Sequence, residues 1–231
     1  MFKGLRRKLK DVSFRDGVTL YDPAYHFTHL WFDGVGARRA WKKIFSTLKP
    51  SRVLEIGCFE GRSTCYVIEK LASCKDIELH CVDVWDGKIG SQEVMASVEK
   101  RFHHNVHVAK SKVKHAVELV IHKGFSDKML AKLLAEGKQG YFDFIYIDGS
   151  HQAPDVLCDA VMSFRLLKKG GVLGFDDYLW SKPSLYGKDP IFCPRLAIDA
   201  FTNIYCHKLK ILGDYSKLTS LWQIYVEKLE D

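Results

Sequence analysis

The chain of 231 residues lacks several patterns that define broad classes of protein. It contains no long apolar run, so we expect neither a secretory signal peptide nor a membrane span. Its seven cysteines are odd in number and include no C-x-x-C pair, so we expect no disulfide framework. Free thiols are typical of a reducing compartment, and we therefore predict a cytoplasmic protein. Internal repeats, linkers and low-complexity tracts are also lacking, which favours a single domain over residues 1–231.

The chain also lacks a strong excess of one charge. It carries 35 basic and 28 acidic residues, a formal net charge of +7, and part of that excess lies within the first ten residues. The remainder is too diffuse to predict a nucleic-acid interface, which needs a clustered basic stripe. The basic start is interpreted as a solvated terminus, with a small amphipathic helix at a membrane as the alternative.

The most informative segment is the run from Val53 to Ser63. A short apolar stretch containing Glu55 predicts a buried parallel strand, and the spacing Gly57-x-x-x-Gly61 predicts a tight turn that a ligand can approach. Ser63 then opens a helix whose first N–H groups are free. Phe59 stands in the middle of the turn, so the Gly-x-Gly-x-x-Gly fingerprint of a dinucleotide site is missing. This spacing argues against an NAD-dependent oxidoreductase.

Strand-like and helix-like segments alternate along the chain, which predicts an α/β fold. We expect a mostly parallel sheet of seven strands with an antiparallel final strand and with helices on both faces. The predicted strands are 52–56, 77–84, 105–110, 142–147, 172–175, 208–213 and 220–227, and the predicted helices are 37–48, 61–71, 91–101, 112–121, 127–136, 154–167 and 194–205.

Acidic residues follow the predicted strands at the edge where open parallel sheets bind ligands. They are Glu55, Asp83, Asp148, Asp176 and Asp177. Asp83 follows Gly61 by 22 residues, the usual distance from a glycine turn to an acid that accepts hydrogen bonds from ribose hydroxyls. Its alternative interpretation is a carboxylate that caps a helix or a loop.

Four motifs, E-I-G-C-F-E-G-R-S, V-D-V-W, F-D-F-I-Y-I-D-G-S-H and L-L-K-K-G-G-V-L-G-F-D-D-Y, carry a family resemblance over roughly residues 50–205. The chain resembles class I S-adenosylmethionine-dependent methyltransferases and, among them, the small-molecule O-methyltransferases related to macrocin O-methyltransferase. The resemblance implies a Rossmann-like sheet, S-adenosylmethionine as cofactor and, because the family often forms dimers, a homodimer.

The resemblance also assigns cofactor contacts. The methionine part would lie against Glu55, Gly57, Phe59, Glu60, Gly61 and Ser63, the ribose hydroxyls against Asp83, and the adenine near Trp85 and Ser111. A tryptophan beside a purine is favourable through stacking, and packing at a strand end is the alternative for Trp85. The assignment of Ser111 rests on the run Ala109-Lys110-Ser111, where relatives usually have a glycine, an acid and a serine.

Three aspartates are predicted to converge at a second point. Asp148 follows one strand and Asp176 and Asp177 follow the next, so their side chains would meet about 5 Å apart if the two strands pair. Such a concentration of carboxylates requires a cation or a proton, and we predict that all three aspartates are ligands of a Mg²⁺ ion. The alternative is that these aspartates only cap helices or turns. His103, His104 and His107 lack further ligands at suitable spacing, so no zinc site is expected there.

The predicted reaction is methyl transfer to a hydroxyl of a small molecule, such as a saccharide or a natural product. Asp148 would act at the catalytic centre and His151 as general base, with a loop histidine that only holds cofactor or substrate as the alternative. The N-terminal extension 1–36, especially 21–31, and the loop 178–194 would contact the acceptor, beside a core of residues 37–231. The competing functions are a metal-independent small-molecule methyltransferase, a nucleic-acid or protein methyltransferase, and a scaffold without activity.

Overall fold

The computed structural model describes residues 22–34, 36–86, 91–185 and 187–231. The helices are α1 (Trp31–Gly34), α2 (Ala37–Leu48), α3 (Arg62–Leu71), α4 (Gln92–Ser111), α5 (Ser126–Ala135), α6 (Ala153–Leu166), α7 (Pro194–Ile204) and α8 (Gly213–Leu218). The strands are β1 (Arg52–Ile56), β2 (Ile77–Asp83), β3 (Val117–Lys123), β4 (Phe142–Ile147), β5 (Leu167–Phe175), β6 (Pro183–Ser184), β7 (Gly187–Lys188), β8 (Leu209–Ile211) and β9 (Ile224–Lys228). The basic first ten residues lie outside the described residues.

Seven strands form one sheet in the order β3-β2-β1-β4-β5-β9-β8, and β6 pairs with β7 in a separate hairpin. The strands from β3 to β5 are parallel, whereas β9 runs antiparallel to both β5 and β8. The predicted fold class, with its antiparallel final strand, is confirmed. The direction of winding reverses between β1 and β4, and ligands of open α/β sheets bind at such a switch point.

Helices cover both faces of the sheet, as predicted. One apolar cluster contains residues of α2, α3 and α4 packed on one face, and a second contains residues of α5, α6 and α7 on the other. Every residue of β4 is buried, which is expected for a strand covered on both faces.

Trp41 shows how the helices are fixed against the sheet. Its buried ring packs edge-on against Phe144 and Tyr146 of β4, with ring centroids 5.2 and 4.7 Å away. The indole N–H donates to the hydroxyl of Tyr225 on β9, at 3.0 Å. Complete burial of a large aromatic side chain contributes about 2–3 kcal/mol to stability. Trp41 therefore joins α2 to β4 and β9.

The prediction for residues 105–121 was wrong. Residues 105–110 are not a strand, because α4 continues to Ser111 with Phe102, Val106 and Ala109 buried at helical spacing against the core. The strand that pairs with β2 is instead β3, where a helix over 112–121 was predicted. The short helices α1 and α8 and the β6–β7 hairpin were not predicted. None of the helices among the described residues is long and apolar enough to cross a membrane.

Candidate functional site

The backbone of the turn after β1 lies very close to the backbone of the loop after β4. Gly57 has a φ of +84°, and a Cβ atom built on it would lie 2.0 Å from the carbonyl oxygen of Asp148 on the neighbouring loop. Gly61 has a φ of +79° and precedes α3, where a Cβ atom would lie 3.0 Å from the ring of Phe102. Only glycine combines the positive φ at position 57 with the absence of a Cβ atom that the neighbouring backbone requires. The turn predicted from sequence is therefore present, and it lies against the loop that carries Asp148.

Asp83 holds this turn from the end of β2. One carboxylate oxygen accepts hydrogen bonds from the backbone N–H groups of Cys58 and Phe59, both at 2.8 Å, and the other accepts from that of Trp85 at 3.0 Å. Burial raises the pKa of Asp83, although these backbone donors act in the opposite direction. Asp83 is a half-buried residue, and its carboxylate oxygens have the capacity to accept from further donors such as ribose hydroxyls.

Trp85 also holds the turn between β1 and α3. Its indole N–H donates to the carbonyl oxygen of Phe59 at 2.9 Å, and its ring packs against Phe102 of α4 with centroids 4.8 Å apart. The side chain is only 4% exposed. Trp85 therefore fixes the turn to α4 in this structure, and its predicted contact with adenine stays a prediction.

Glu55 lies beneath the turn and is almost completely buried. Its carboxylate accepts hydrogen bonds from the hydroxyls of Ser63 and Thr64 in the first turn of α3, the latter at 2.6 Å. Burial raises the pKa of Glu55 to about 7, against the opposing effect of both hydroxyl groups. Glu55 and Ser63 therefore join β1 to α3, which sets the direction in which the helix leaves the turn.

Glu60, the third residue after Gly57, is also buried. Its carboxylate accepts from the backbone N–H and the hydroxyl of Thr28 and from Arg101 Nε, each at 2.6 Å. Asn105 Nδ2 donates to its backbone carbonyl at 2.9 Å. These contacts tie Glu60 to residues 26–28 and to α4, and its predicted contact with the cofactor stays a prediction.

Asp148 and Asp176 come together at the ends of β4 and β5, as predicted. The register pairs Ile147 with Phe175, and the backbone N–H of Asp176 donates to the carbonyl of Ile147 at 2.9 Å. Burial and then the charge of Asp176 raise the pKa of Asp148 well above its usual range. Burial and then Asp177 raise the pKa of Asp176 to about 6, although the hydroxyl of Tyr146 donates to it at 2.7 Å. The two carboxyl groups therefore tend to retain a proton.

Asp177 turns its carboxylate to His151 instead. His151 Nε2 lies 2.5 Å from Asp177 Oδ2, and the imidazole stacks on the ring of Trp180 with centroids 4.4 Å apart. Asp177 has a φ of +58°, a strained conformation for a residue other than glycine. Burial lowers the pKa of His151, but the hydrogen bond to Asp177 and the charges of Asp177 and Asp176 outweigh it, so the pKa is raised. His151 is thus a strengthened base beside the carboxylate pair.

The donor chemistry at this point fits a divalent metal ion in part. Asp148 and Asp176 supply adjacent carboxylate oxygens of the kind that Mg²⁺ prefers, and burial, followed by the neighbouring carboxylates, raises the pKa of both. The three aspartates do not bring their oxygens together, because Asp177 pairs with His151. In the part of the chain that the structure describes, the group of ligand atoms within 4.8 Å of one another is formed by Glu55, Cys58 and Cys81.

The assignment of Ser111 was wrong because it rested on a strand at 105–110. Ser111 ends α4 near the start of β3, whereas Asp83 lies at the carboxyl end of the neighbouring β2. These two edges are about 20 Å apart, the length of the seven-residue strands. The segment that follows β3 is Gly124-Phe125-Ser126, and Gly124 N donates to the carbonyl of Asp83 at 2.9 Å. This segment, and not Ser111, therefore lies beside Asp83 at the carboxyl edge of the sheet, and its glycine-x-serine pattern was the sequence signal for that position that was missed.

Known proteins resemble the chain over this region. A family model described as a methyltransferase domain matches residues 54–178, which include the glycine turn and the three aspartates. A protein named probable caffeoyl-CoA O-methyltransferase 3, from Dictyostelium discoideum, is 28% identical over 146 residues, or 63% of this chain and 51% of that protein. The chain thus spans about half the length of this curated relative.

Solved structures share the fold. A putative O-methyltransferase from Klebsiella pneumoniae superposes with a TM-score of 0.59 at 16% identity, covering 90% of this chain and 84% of that chain. The O-methyltransferase TomG from Streptomyces achromogenes, solved with S-adenosylmethionine, gives a TM-score of 0.58 at 17% identity, covering 84% and 80%. The family model spans more than half of the chain and includes the site built above. The chain therefore belongs to the methyltransferase domain family, as its resemblance to methyltransferases predicted.

Proposed function

We propose that this protein transfers the methyl group of S-adenosylmethionine to a hydroxyl oxygen of a small molecule. The adjacent Asp148 and Asp176 carboxylates, with His151 beside them, are the observation that supports this reaction most directly. They lie against the turn that the cofactor would occupy, since Gly57 contacts the Asp148 backbone. The relative from Dictyostelium discoideum is named as an O-methyltransferase, which agrees with a hydroxyl acceptor.

The cofactor would lie along the carboxyl ends of β1, β2 and β3. Gly57 and Gly61 leave room for its methionine part, and Asp83 would accept hydrogen bonds from the ribose hydroxyls. The segment Gly124–Ser126 would border the adenine, and the hydrogen bond from Gly124 N to the carbonyl oxygen of Asp83 supports this assignment. The cofactor would thus span the switch point between β1 and β4, with its sulfonium end towards Asp148.

The chain's own residues would orient the acceptor and take its proton. The sulfonium methyl is already electrophilic, so alignment of the oxygen and proton removal are the main tasks. His151 would accept the proton, with Asp177 orienting its ring and stabilising the imidazolium. Asp148 would hold the acceptor hydroxyl. A Mg²⁺ ion, which Asp148 and Asp176 would hold when it is bound, supplies positive charge that lowers the pKa of a hydroxyl.

The acceptor chemistry is the part to be tested first. Purified protein is incubated with methyl-labelled S-adenosylmethionine and with caffeoyl-CoA, simple catechols or glycosides, each with Mg²⁺ and with EDTA. We expect label in a small-molecule fraction. The Asp148→Asn variant is expected to lose at least about 100-fold in rate, whereas the exposed Asp214→Asn control keeps the wild-type rate. Label found only in added RNA or protein would instead support a macromolecular methyltransferase.

The free thiols support a proposal for the cellular setting. All seven cysteines are free, and four of them are buried in the core, which supports a reducing compartment such as the cytoplasm. A homodimer, expected from the family resemblance, stays a prediction that sedimentation analysis tests.

A further inference from the structure

The segment of residues 22–34 is tied to the cofactor turn through one side chain. Thr28 donates its backbone N–H to Glu60 Oε2 and its hydroxyl to Glu60 Oε1, both at 2.6 Å. Glu60 lies within the turn from Gly57 to Gly61 and is 1% exposed, while Thr28 is exposed. The two residues are 32 positions apart in sequence, so this contact joins two separate parts of the site.

A second residue strengthens the same connection. Asn105 of α4 accepts from the backbone N–H of His26 at 2.7 Å and donates to the backbone carbonyl of Glu60 at 2.9 Å. Arg101 of the same helix donates to the Glu60 carboxylate at 2.6 Å, which compensates its charge. A carboxylate this deeply buried is stable only when it is paired and fully hydrogen-bonded. Glu60 therefore depends on the segment, and the segment depends on Glu60.

The connection places aromatic side chains over the turn. Trp31 lies 5.3 Å from the ring of Phe59 and 4.2 Å from that of His29, measured between centroids, and it is 65% exposed. Arg62, the first residue of α3, holds Asp33 with a two-point contact of 2.8 and 3.1 Å. The segment that follows Thr28 thus presents an aromatic surface beside the cofactor turn.

We propose that Glu60 is a positioning residue that couples the cofactor turn to the segment of residues 22–34, rather than a ligand of the cofactor. Binding of the cofactor at the turn stabilises, through Glu60 and Thr28, the segment that carries His29 and Trp31. Two events that share one set of hydrogen bonds favour each other reciprocally. The acceptor surface is then completed after the cofactor has bound. This inference rests on the proposed binding of S-adenosylmethionine at the turn.

The test measures hydrogen–deuterium exchange of residues 22–34 with and without S-adenosylhomocysteine, and measures affinity for that compound by calorimetry. In the wild-type protein, the compound is expected to slow exchange in the segment. The Thr28→Val variant removes one donor at an exposed position, and its ligand-induced protection should fall about tenfold, the effect of one hydrogen bond to a charged group. The Thr28→Ser variant keeps the hydroxyl and should restore the protection.

The controls separate this coupling from general loss of structure. Thr47→Val removes another exposed hydroxyl, one that donates within α2, and should leave the protection unchanged. Glu60→Gln should bind S-adenosylhomocysteine and yet show no protection of the segment. The coupling is overturned if the compound binds the wild-type protein without protecting 22–34, or if Thr28→Val keeps full protection. A wild-type protein that does not bind the compound contradicts the proposed function instead.

Discussion

Substitution of Gly57 by alanine tests the structural basis of the site. The added Cβ atom would lie 2.0 Å from the carbonyl oxygen of Asp148 and 2.7 Å from the Cα atom of Gly149, and neither backbone atom can move without shifting the loop after β4. A positive φ costs an alanine about 1–2 kcal/mol, and overpacking costs about 1–3 kcal/mol more. We therefore expect Gly57→Ala to lower the free energy of unfolding by about 2–5 kcal/mol.

A matched control isolates the steric part of that cost. Gly137 has a similar φ of +79°, but a Cβ atom on it would meet nothing within 4 Å. Gly137→Ala should therefore lose only about 1–2 kcal/mol, the cost of the conformation alone. Thermal unfolding measures both, and for a chain of this size each kcal/mol lowers Tm by about 2–4 °C. Equal Tm values for the two variants, with S-adenosylmethionine still bound by Gly57→Ala, would refute the close approach.

Three further predictions concern buried charge. Burial, and then the charge of His80, lowers the pKa of His122 from its ordinary 6.5 to about 4. The folded protein therefore favours the neutral imidazole, and its stability is highest above pH 6.5. This stability is lost as the pH falls from 6.5 to about 4, and urea unfolding at about pH 5 should show a loss of about 1–2 kcal/mol that His122→Asn reduces. Lys228 is 2% exposed, and its ammonium group donates to two backbone carbonyls at the end of α6. The Lys228→Met variant should lower the free energy of unfolding by about 2–4 kcal/mol, again measured by urea unfolding. Asp148→Asn should raise the Tm of the metal-free protein by removing like-charge repulsion, and it should abolish any rise in Tm on addition of Mg²⁺; a variant that still responds to Mg²⁺ would show that the ion binds elsewhere.

The turn and the acids at the strand ends could be predicted because their signals are local. The spacing of Gly57 and Gly61 indicates a tight turn with positive φ angles. In a parallel sheet, any acidic residue just past a strand lies at the carboxyl edge of the sheet. Asp148 and Asp176 therefore came together as expected once β4 and β5 paired.

The error at α4 has a physical reason. Residues 105–110 alternate between apolar and polar side chains and include two valines, which is typical of a strand. The packing of Phe102, Val106 and Ala109 against α3 and the turn overrides that local preference. The true strand β3 has a less regular burial pattern, because it lies at the edge of the sheet.

The contacts of Glu60 could not be predicted from sequence. Nothing near Thr28 indicates that it will meet a residue 32 positions later, since this contact depends on the path of the whole N-terminal segment. The same holds for Asp177. Its carboxylate was expected to join two other aspartates, and a positive φ with an available histidine directs it to His151 instead.

Calorimetric titration with S-adenosylmethionine tests the central claim most directly, because cofactor binding at the turn between β1 and α3 is its basis. The wild-type protein is expected to bind one equivalent, and Asp83→Ala should weaken binding by at least about tenfold, since the turn and the ribose both lose this carboxylate. The exposed Asp214→Asn variant should bind like the wild-type protein. Absence of binding by the wild-type protein, or unchanged affinity in Asp83→Ala, would contradict the account.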